Sequence, residues 1–281
     1  MTKSVSIINM KGGVGKSTLT VNLAWHFAAY THWVKKVLVV DLDPQFNASQ
    51  YLLGVTKYRE ILNQGKSTTW NILENNTRTP TGQNSIIDPH KAIHNVATFV
   101  GSKGRIDLIP SRLELALSLK NPAQKERQLS KMLAKIENEY DLILIDCAPT
   151  ESVLTTAAYL SSDYLLVPVK PEYLSSIGLP LLVNSMNDFK NEYEDSKLSL
   201  AGVVFNATEN YYPEEQLSKN MVRDLANKQG WYVFQAEVPY SKSFPKGARE
   251  GRPIIKTSYA RTAQKTRFLK FAEEFAKRIS L

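Results

Sequence analysis

Runs of leucine and β-branched residues alternate with amphipathic stretches along almost the whole chain. Runs at 5–9, 36–41, 106–109, 142–146, 164–168 and 200–206, with a short one at 231–234, predict strands. They are continuously apolar rather than alternating, as expected of strands buried on both faces. Between them, a helical period predicts helices over 16–29, 122–139, 152–160, 174–192, 212–229 and 259–279. Alternation of this kind predicts an α/β fold, a mostly parallel twisted sheet flanked by helices on both faces. The stretch 56–103 breaks the rhythm, with Gly65, Pro80, Gly82 and Pro89 among several Asn and Thr, and a short helix around 69–74. It shows no apolar core of its own, so it reads as an elaboration of one domain spanning 1–281.

The first predicted strand leads into Lys11-Gly12-Gly13-Val14-Gly15-Lys16-Ser17-Thr18, and a predicted helix opens at Lys16. Strand, glycine-rich loop and helix form the context of a phosphate-binding loop. Glycines let successive N–H groups turn inward around a phosphate chain, and the helix N-terminus adds unpaired donors. In that reading Lys16 reaches the β- and γ-phosphates of ATP, the Ser17 hydroxyl binds Mg²⁺, and Thr18 supports the phosphates. Met10 stands where the common pattern has its first glycine, and Lys11 adds a second cation. Without an anion between them, two lysines in so tight a loop would repel at a cost.

Two apolar strands end in carboxylates, at the edge where α/β sheets bind ligands. Leu142-Ile143-Leu144-Ile145 leads to Asp146, the natural partner of Mg²⁺. Val37-Leu38-Val39-Val40 leads to Asp41-Leu42-Asp43-Pro44. Of Asp41 and Asp43, one would orient the attacking water and the other support the metal shell. A lone strand-end Asp is more often a cap or turn residue, but strand ends converging on one phosphate loop favour chemistry.

Composition narrows the setting. The single cysteine, Cys147, excludes an internal disulfide and a cysteine metal cage within one chain, and no apolar run approaches the ~20 residues of a membrane span. With no signal-peptide pattern at the start, the expected location is the cytoplasm. Net charge is +8, and its placement is uneven: residues 240–281 hold 11 Lys and Arg against 3 Glu, and so carry all of the excess. Such asymmetry suggests nucleic acid or an anionic membrane surface as partner, the bland alternative being a solvated helix face.

These motifs resemble the ParA/Soj-type partition ATPases, within the wider group that includes the MinD cell-division ATPases. Lys11–Thr18 resembles the deviant Walker A box with its signature lysine, Asp41-Leu42-Asp43-Pro44-Gln45 the switch segment, and 142–149 the Walker B strand. Val167-Pro168-Val169 with Glu172-Tyr173-Leu174 resembles the segment that follows, and the likeness runs from Val5 to about Ile279. The resemblance implies a homodimer with ATP sandwiched at its interface, Lys11 reaching the partner subunit's nucleotide. It implies Asp43 for positioning the water, Asp41 for organising the metal, and Asn206 with Val238-Pro239 for flanking the adenine. It also implies non-specific DNA as ligand, a ParB-like centromere-binding protein as activator and association with the nucleoid. Two features depart from the family: Ala148-Pro149-Thr150 where two prolines are common, and Tyr240-Ser241-Lys242-Ser243-Phe244 where arginines are usual. The short segment before Lys11 matches the small type, which lacks an N-terminal helix-turn-helix domain.

On charge, the DNA-binding candidates are Lys242, Lys246, Arg249, Arg252, Arg261, Lys265 and Arg267. The competing reading is a membrane-anchoring last helix, since Phe268, Leu269, Ala272, Phe275, Ala276 and Ile279 share a face; docking on the protein's own sheet uses the same spacing and is the expected outcome. A MinD-like cell-division ATPase, a ParA-like positioner of protein cargo, and a small-molecule P-loop kinase or ligase remain as alternatives. His26, His32, His90 and His94 lack metal-ligand spacing, Cys147 reads as a buried small residue, and Tyr211-Tyr212 as surface or core packing.

Overall fold

The computed structural model describes residues 1–29, 32–74, 88–99, 101, 103–120, 125–172, 175–209, 211–257 and 261–281. The first half runs β1 (Lys3–Ile7), α1 (Lys16–Ala29), β2 (Lys36–Leu42), α2 (Asn47–Asn63), α3 (Thr69–Glu74), α4 (Pro89–Ala92), β3 (His94–Thr98) and β4 (Arg105–Ile109). It continues through α5 (Gln128–Leu133), β5 (Leu142–Cys147), α6 (Val153–Leu160), β6 (Tyr164–Val169) and α7 (Ser175–Glu192). The last part holds β7 (Ser199–Thr208), α8 (Pro213–Lys228), β8 (Val238–Pro239), α9 (Ser243–Glu250) and α10 (Thr262–Ile279). The strands form one sheet in the order β3-β4-β2-β5-β1-β6-β7-β8. All neighbours are parallel except β3 and β4, so the predicted α/β class is observed.

Alternate residues of the central strands feed two cores, one on each face of the sheet. On β5, Leu142 and Leu144 join Leu23, Phe27, Phe271 and Phe275, whereas Ile143 and Ile145 join Leu133, Leu154, Leu182 and Met186. This two-sided burial explains why the strands read as continuous apolar runs. In α10, Phe268, Phe271, Ala272, Phe275, Ala276 and Ile279 are all buried in the first of these cores. Phe271 takes the place expected for Leu269, which is half-buried. The apolar face of this helix is thus covered by its own sheet, as expected from its spacing.

Several elements differ from the sequence expectation. The Asn47–Asn63 helix was not predicted, and it contains a kink at Gly54 (φ 73°, ψ 160°) that breaks the helical period. The antiparallel edge strand β3 lies inside the stretch read as irregular. At 231–234 only Val233 pairs, in a single bridge to Val203, and the terminal strand is β8 instead. The helix expected over 122–139 is shorter, α5 followed by a 3-10 turn at Glu137–Glu139. The predicted helix starts at 122, 174 and 259 lie outside the described residues, as do Pro80, Gly82, Tyr173 and Leu174.

Candidate functional site

The loop after β1 is shaped by contacts to two other strand ends. Asn9 donates from Nδ2 to the Pro168 carbonyl (2.8 Å) and accepts the Lys11 N–H at Oδ1 (2.8 Å). Asn206, near the end of β7, donates to the Val14 carbonyl at 2.7 Å. Gly15 has φ +88°, and a Cβ there would lie 2.2 Å from Asn206 Nδ2, so only glycine fits both the backbone and the neighbour. Lys16 is buried, and its Nζ donates to the carbonyls of Asn9 and Lys11, each at 3.1 Å. Burial pushes its ammonium below the usual lysine range, opposed chiefly by Asp146.

Asp146 and Asp41 sit side by side because β5 and β2 pair in register at those residues. Both are fully buried. Burial, followed by the charge of Asp41, pushes the Asp146 carboxyl well above the usual range, while a hydrogen bond from Ser17 opposes this. Its Oδ2 has no hydrogen-bond partner among the described residues. Asp41 accepts Ser49 N–H (2.7 Å), the Ser49 hydroxyl (2.6 Å) and Asp43 N–H (3.2 Å). Burial raises its carboxyl to about 7 against those three donors. Asp43 accepts the Gln45 N–H at 2.9 Å, and burial raises its carboxyl too.

A cavity of about 690 Å³ opens over the loop, lined by Gly12, Gly13, Gly15, Lys16, Ser17 and Thr18, with Asp43, Gln45 and Asn47 at one side. Gln50, Tyr51, Gly54, Val55, Pro149, Ala248 and Arg249 complete it. A Cβ placed on Gly12 or Gly13 would meet nothing within 4 Å, so these backbones face open space of the kind a phosphate chain fills. Fully buried acids beside a Ser hydroxyl, one with an unpartnered oxygen, form a donor set that fits Mg²⁺. The residues present therefore fit both a nucleoside triphosphate and its metal.

The predicted site residues fall into distinct places. Asp43 lines the cavity, but Asp41 does not: its carboxylate holds Ser49 and Asp43 in place, so it organises the turn rather than facing the opening. Lys11 is also off the cavity wall, paired with Glu172 at 2.9 Å. Asn206 pairs with Val238 across β7 and β8, next to Pro239, yet neither Asn206 nor Pro239 lines the cavity. Lys242, Arg252, Arg261 and Arg267 are exposed, whereas Lys246 and Lys265 are half-buried, Lys246 beside Glu250 at 3.6 Å. Arg249, expected with that basic set, is exposed and also stands on the cavity wall. Sequence reasoning did not place Gln50, Tyr51 or Arg249 at this cavity: the first two come from the unpredicted α2, and the packing of α9 on α2 brings the third. No cluster of three or more His, Cys, Asp or Glu that could hold a metal occurs among the described residues. His90 faces Glu139 at 3.3 Å, and burial pushes the Cys147 thiol upward. No helix among the described residues is long and apolar enough to cross a membrane.

A strand, a glycine-turned loop with a buried lysine, and a helix, flanked by a strand ending in a buried carboxylate, define a P-loop nucleoside triphosphatase. Comparison with known proteins agrees and is narrower. Residues 2–200 match the AAA_31 family, described as an AAA domain. The chain is similar to the chromosome-partitioning ATPase Soj of Treponema pallidum, 30% identical over 282 residues, covering 99% of this chain and 98% of that one. It is also 28% identical to the sporulation initiation inhibitor protein Soj of Bacillus subtilis, over 91% of each chain. Among solved structures, Cyanothece McdA in complex with ATP shares the fold, with a TM-score of 0.79, 17% identity, and coverage of 100% of this chain and 97% of that one. The chain belongs to the AAA_31 family and, within it, to the ParA/Soj-type partition ATPases. It is an ATPase.

Proposed function

We propose that the protein is an ATP-dependent switch that dimerises around nucleotide, binds DNA without sequence preference, and so segregates or positions plasmid or chromosomal DNA. ATP is the nucleotide and Mg²⁺ the metal; Ser17 and Asp146 would hold the metal, which would neutralise phosphate charge. The Gly12–Thr18 backbone and Lys16 bind the phosphates, and Asp43 orients the attacking water from the cavity wall. Asp41 fixes Asp43 through the 3.2 Å bond to its N–H. Asn206 holds the loop at Val14 and stands beside the Val238–Pro239 strand; these two would flank the adenine from outside the cavity lining.

The observation that carries the reading is the division of labour between two lysines of one loop. Lys16 is buried and spans the loop carbonyls, while Lys11 lies away from its own cavity, beside Glu172. A cation so placed suits a nucleotide held by a second subunit, where it acts as an arginine finger does and makes hydrolysis depend on assembly. The exposed Lys242, Arg252, Arg261 and Arg267 would supply the DNA-facing charge, doubled by the dimer. A ParB-like protein is the expected activator, and the nucleoid the expected location. Docking of α10 on the sheet disfavours a MinD-like membrane anchor.

The test is a DNA titration with ADP, ATP and a slowly hydrolysed ATP analogue at several salt concentrations. Binding that needs ATP or the analogue and weakens steeply with salt is expected. Binding indifferent to nucleotide, or none, overturns the switch.

A further inference from the structure

We propose that Arg249 is a nucleotide-binding residue, a guanidinium that meets the phosphate chain from the part of the cavity wall built by α9. This rests on the nucleotide reading above and adds to it a residue outside every phosphate-loop motif. Among the described residues, Lys16 and Arg249 are the only cations lining the cavity. Lys16 is occupied with the carbonyls of Asn9 and Lys11. Arg249 is exposed and has no ion-pair partner among the described residues. An unpaired guanidinium on a cavity wall is suited to phosphate oxygens, which its planar fork engages in pairs.

The position of this arginine is built rather than incidental. Its helix, α9, packs so closely on α2 that a Cβ at Gly247 would lie 2.8 Å from the Tyr51 hydroxyl and 2.4 Å from the Arg252 carbonyl. The Tyr51 hydroxyl donates to the Arg252 carbonyl and accepts from Asn22 Nδ2, each at 3.3 Å. Asn22 Nδ2 also donates to the Thr18 carbonyl at 2.8 Å, and Asn22 Oδ1 accepts the Ile254 N–H at 2.7 Å. One asparagine in the helix of the phosphate loop and Tyr51 of α2 thereby fasten the segment that follows α9, while Tyr51 also packs against Gly247 of α9. Arg249 is thus held at a fixed place relative to Thr18. Arg249 therefore shares α9 with Lys246, and Lys242 immediately precedes that helix, so the cavity wall and part of the basic segment are one piece of structure.

Wild type, Arg249→Ala, Arg249→Lys and Lys16→Ala are titrated with a fluorescent ATP analogue and Mg²⁺, after circular dichroism confirms that each is folded. Arg249→Ala is expected to weaken binding roughly 10- to 100-fold, the worth of a charge-assisted hydrogen bond, with Arg249→Lys in between because it keeps charge without the fork. At saturating nucleotide, the slope of DNA affinity against salt stays as in wild type. Arg249→Ala binding the analogue within twofold of wild type overturns the proposal, and a salt slope shallower by about one would assign Arg249 to DNA instead. Should wild type and Lys16→Ala bind alike, the nucleotide reading itself fails, an outcome separate from either. If Arg249→Ala does not fold, Arg249→Lys alone decides: affinity equal to wild type overturns the proposal.

Discussion

His26, ten residues into the helix that follows the phosphate loop, gives the protein a defined weakness to acid. Its ring is 1% exposed and stacks edge-on to Phe27 and Phe268, with Nε2 3.8 Å from Glu273 Oε1. Burial lowers its pKa from 6.5 to about 4, with Glu273 opposing. Between those values the unfolded chain binds a proton that the native state refuses, so stability is full above pH 6.5 and falls as pH drops toward 4. The complete loss is about 3 kcal/mol, and the part lost between pH 7.5 and 5.5 is about 1.3 kcal/mol. The buried Asp41 and Asp146 have raised pKa values and push the other way, so the total pH profile is a mixture. Subtraction isolates the histidine. Urea unfolding of wild type and His26→Gln, followed by tryptophan fluorescence at both pH values, should show wild type losing about 1.3 kcal/mol more than the variant. Equal losses in the two proteins would refute the assignment of this sensitivity to a buried neutral imidazole.

Three further outcomes are expected. Asp43→Ala should keep nucleotide binding and dimerisation, read by calorimetry and light scattering, while ATP turnover falls by roughly 100-fold or more; turnover at the parental rate would remove Asp43 from catalysis. Gly15→Ala places a Cβ 2.2 Å from Asn206 at φ +88°, so it should cost about 1–3 kcal/mol of stability and weaken nucleotide binding, measured by thermal melts with and without ATP. Phe275→Ala opens a void between Phe27, Phe234 and Phe271 and should cost about 3–5 kcal/mol in urea unfolding, whereas a cost below about 1 kcal/mol would mean that α10 is not part of the main core.

The central sheet and the phosphate loop were legible in the sequence because both are written locally. Strands buried on two faces need unbroken apolar runs, and a loop that wraps phosphate needs glycines beside a helix start. What stayed hidden depends on distant partners. The β3 strand is an edge strand with its residues half-buried or exposed, and it lacks the run that marked the others. The kinked α2 conceals its period at Gly54, and α9 carries Pro245 and Gly247 inside it, residues that read as a turn. Gly247 is tolerated there because the helix rests directly on Tyr51. The same contact brings Arg249 to the cavity wall, a place that grouping by local charge does not reveal. Asp41 illustrates the converse. Its type and strand-end position grouped it with the phosphate loop, and the bonds to Ser49 and Asp43 show a carboxylate that braces the turn and does not line the cavity.

The in-register pairing of β2 with β5 has a mechanical meaning. Asp41 and Asp146 are opposed across a backbone ladder, whose spacing of ~4.8 Å is set by main-chain hydrogen bonds and not by any side chain. Nothing that opens or closes around a nucleotide can draw these two residues apart without tearing the middle of the sheet. They form a rigid anvil, and in the proposed switch any movement would fall to the segments strung from it: the turn at 43–46, the glycine loop and the arm that follows β8.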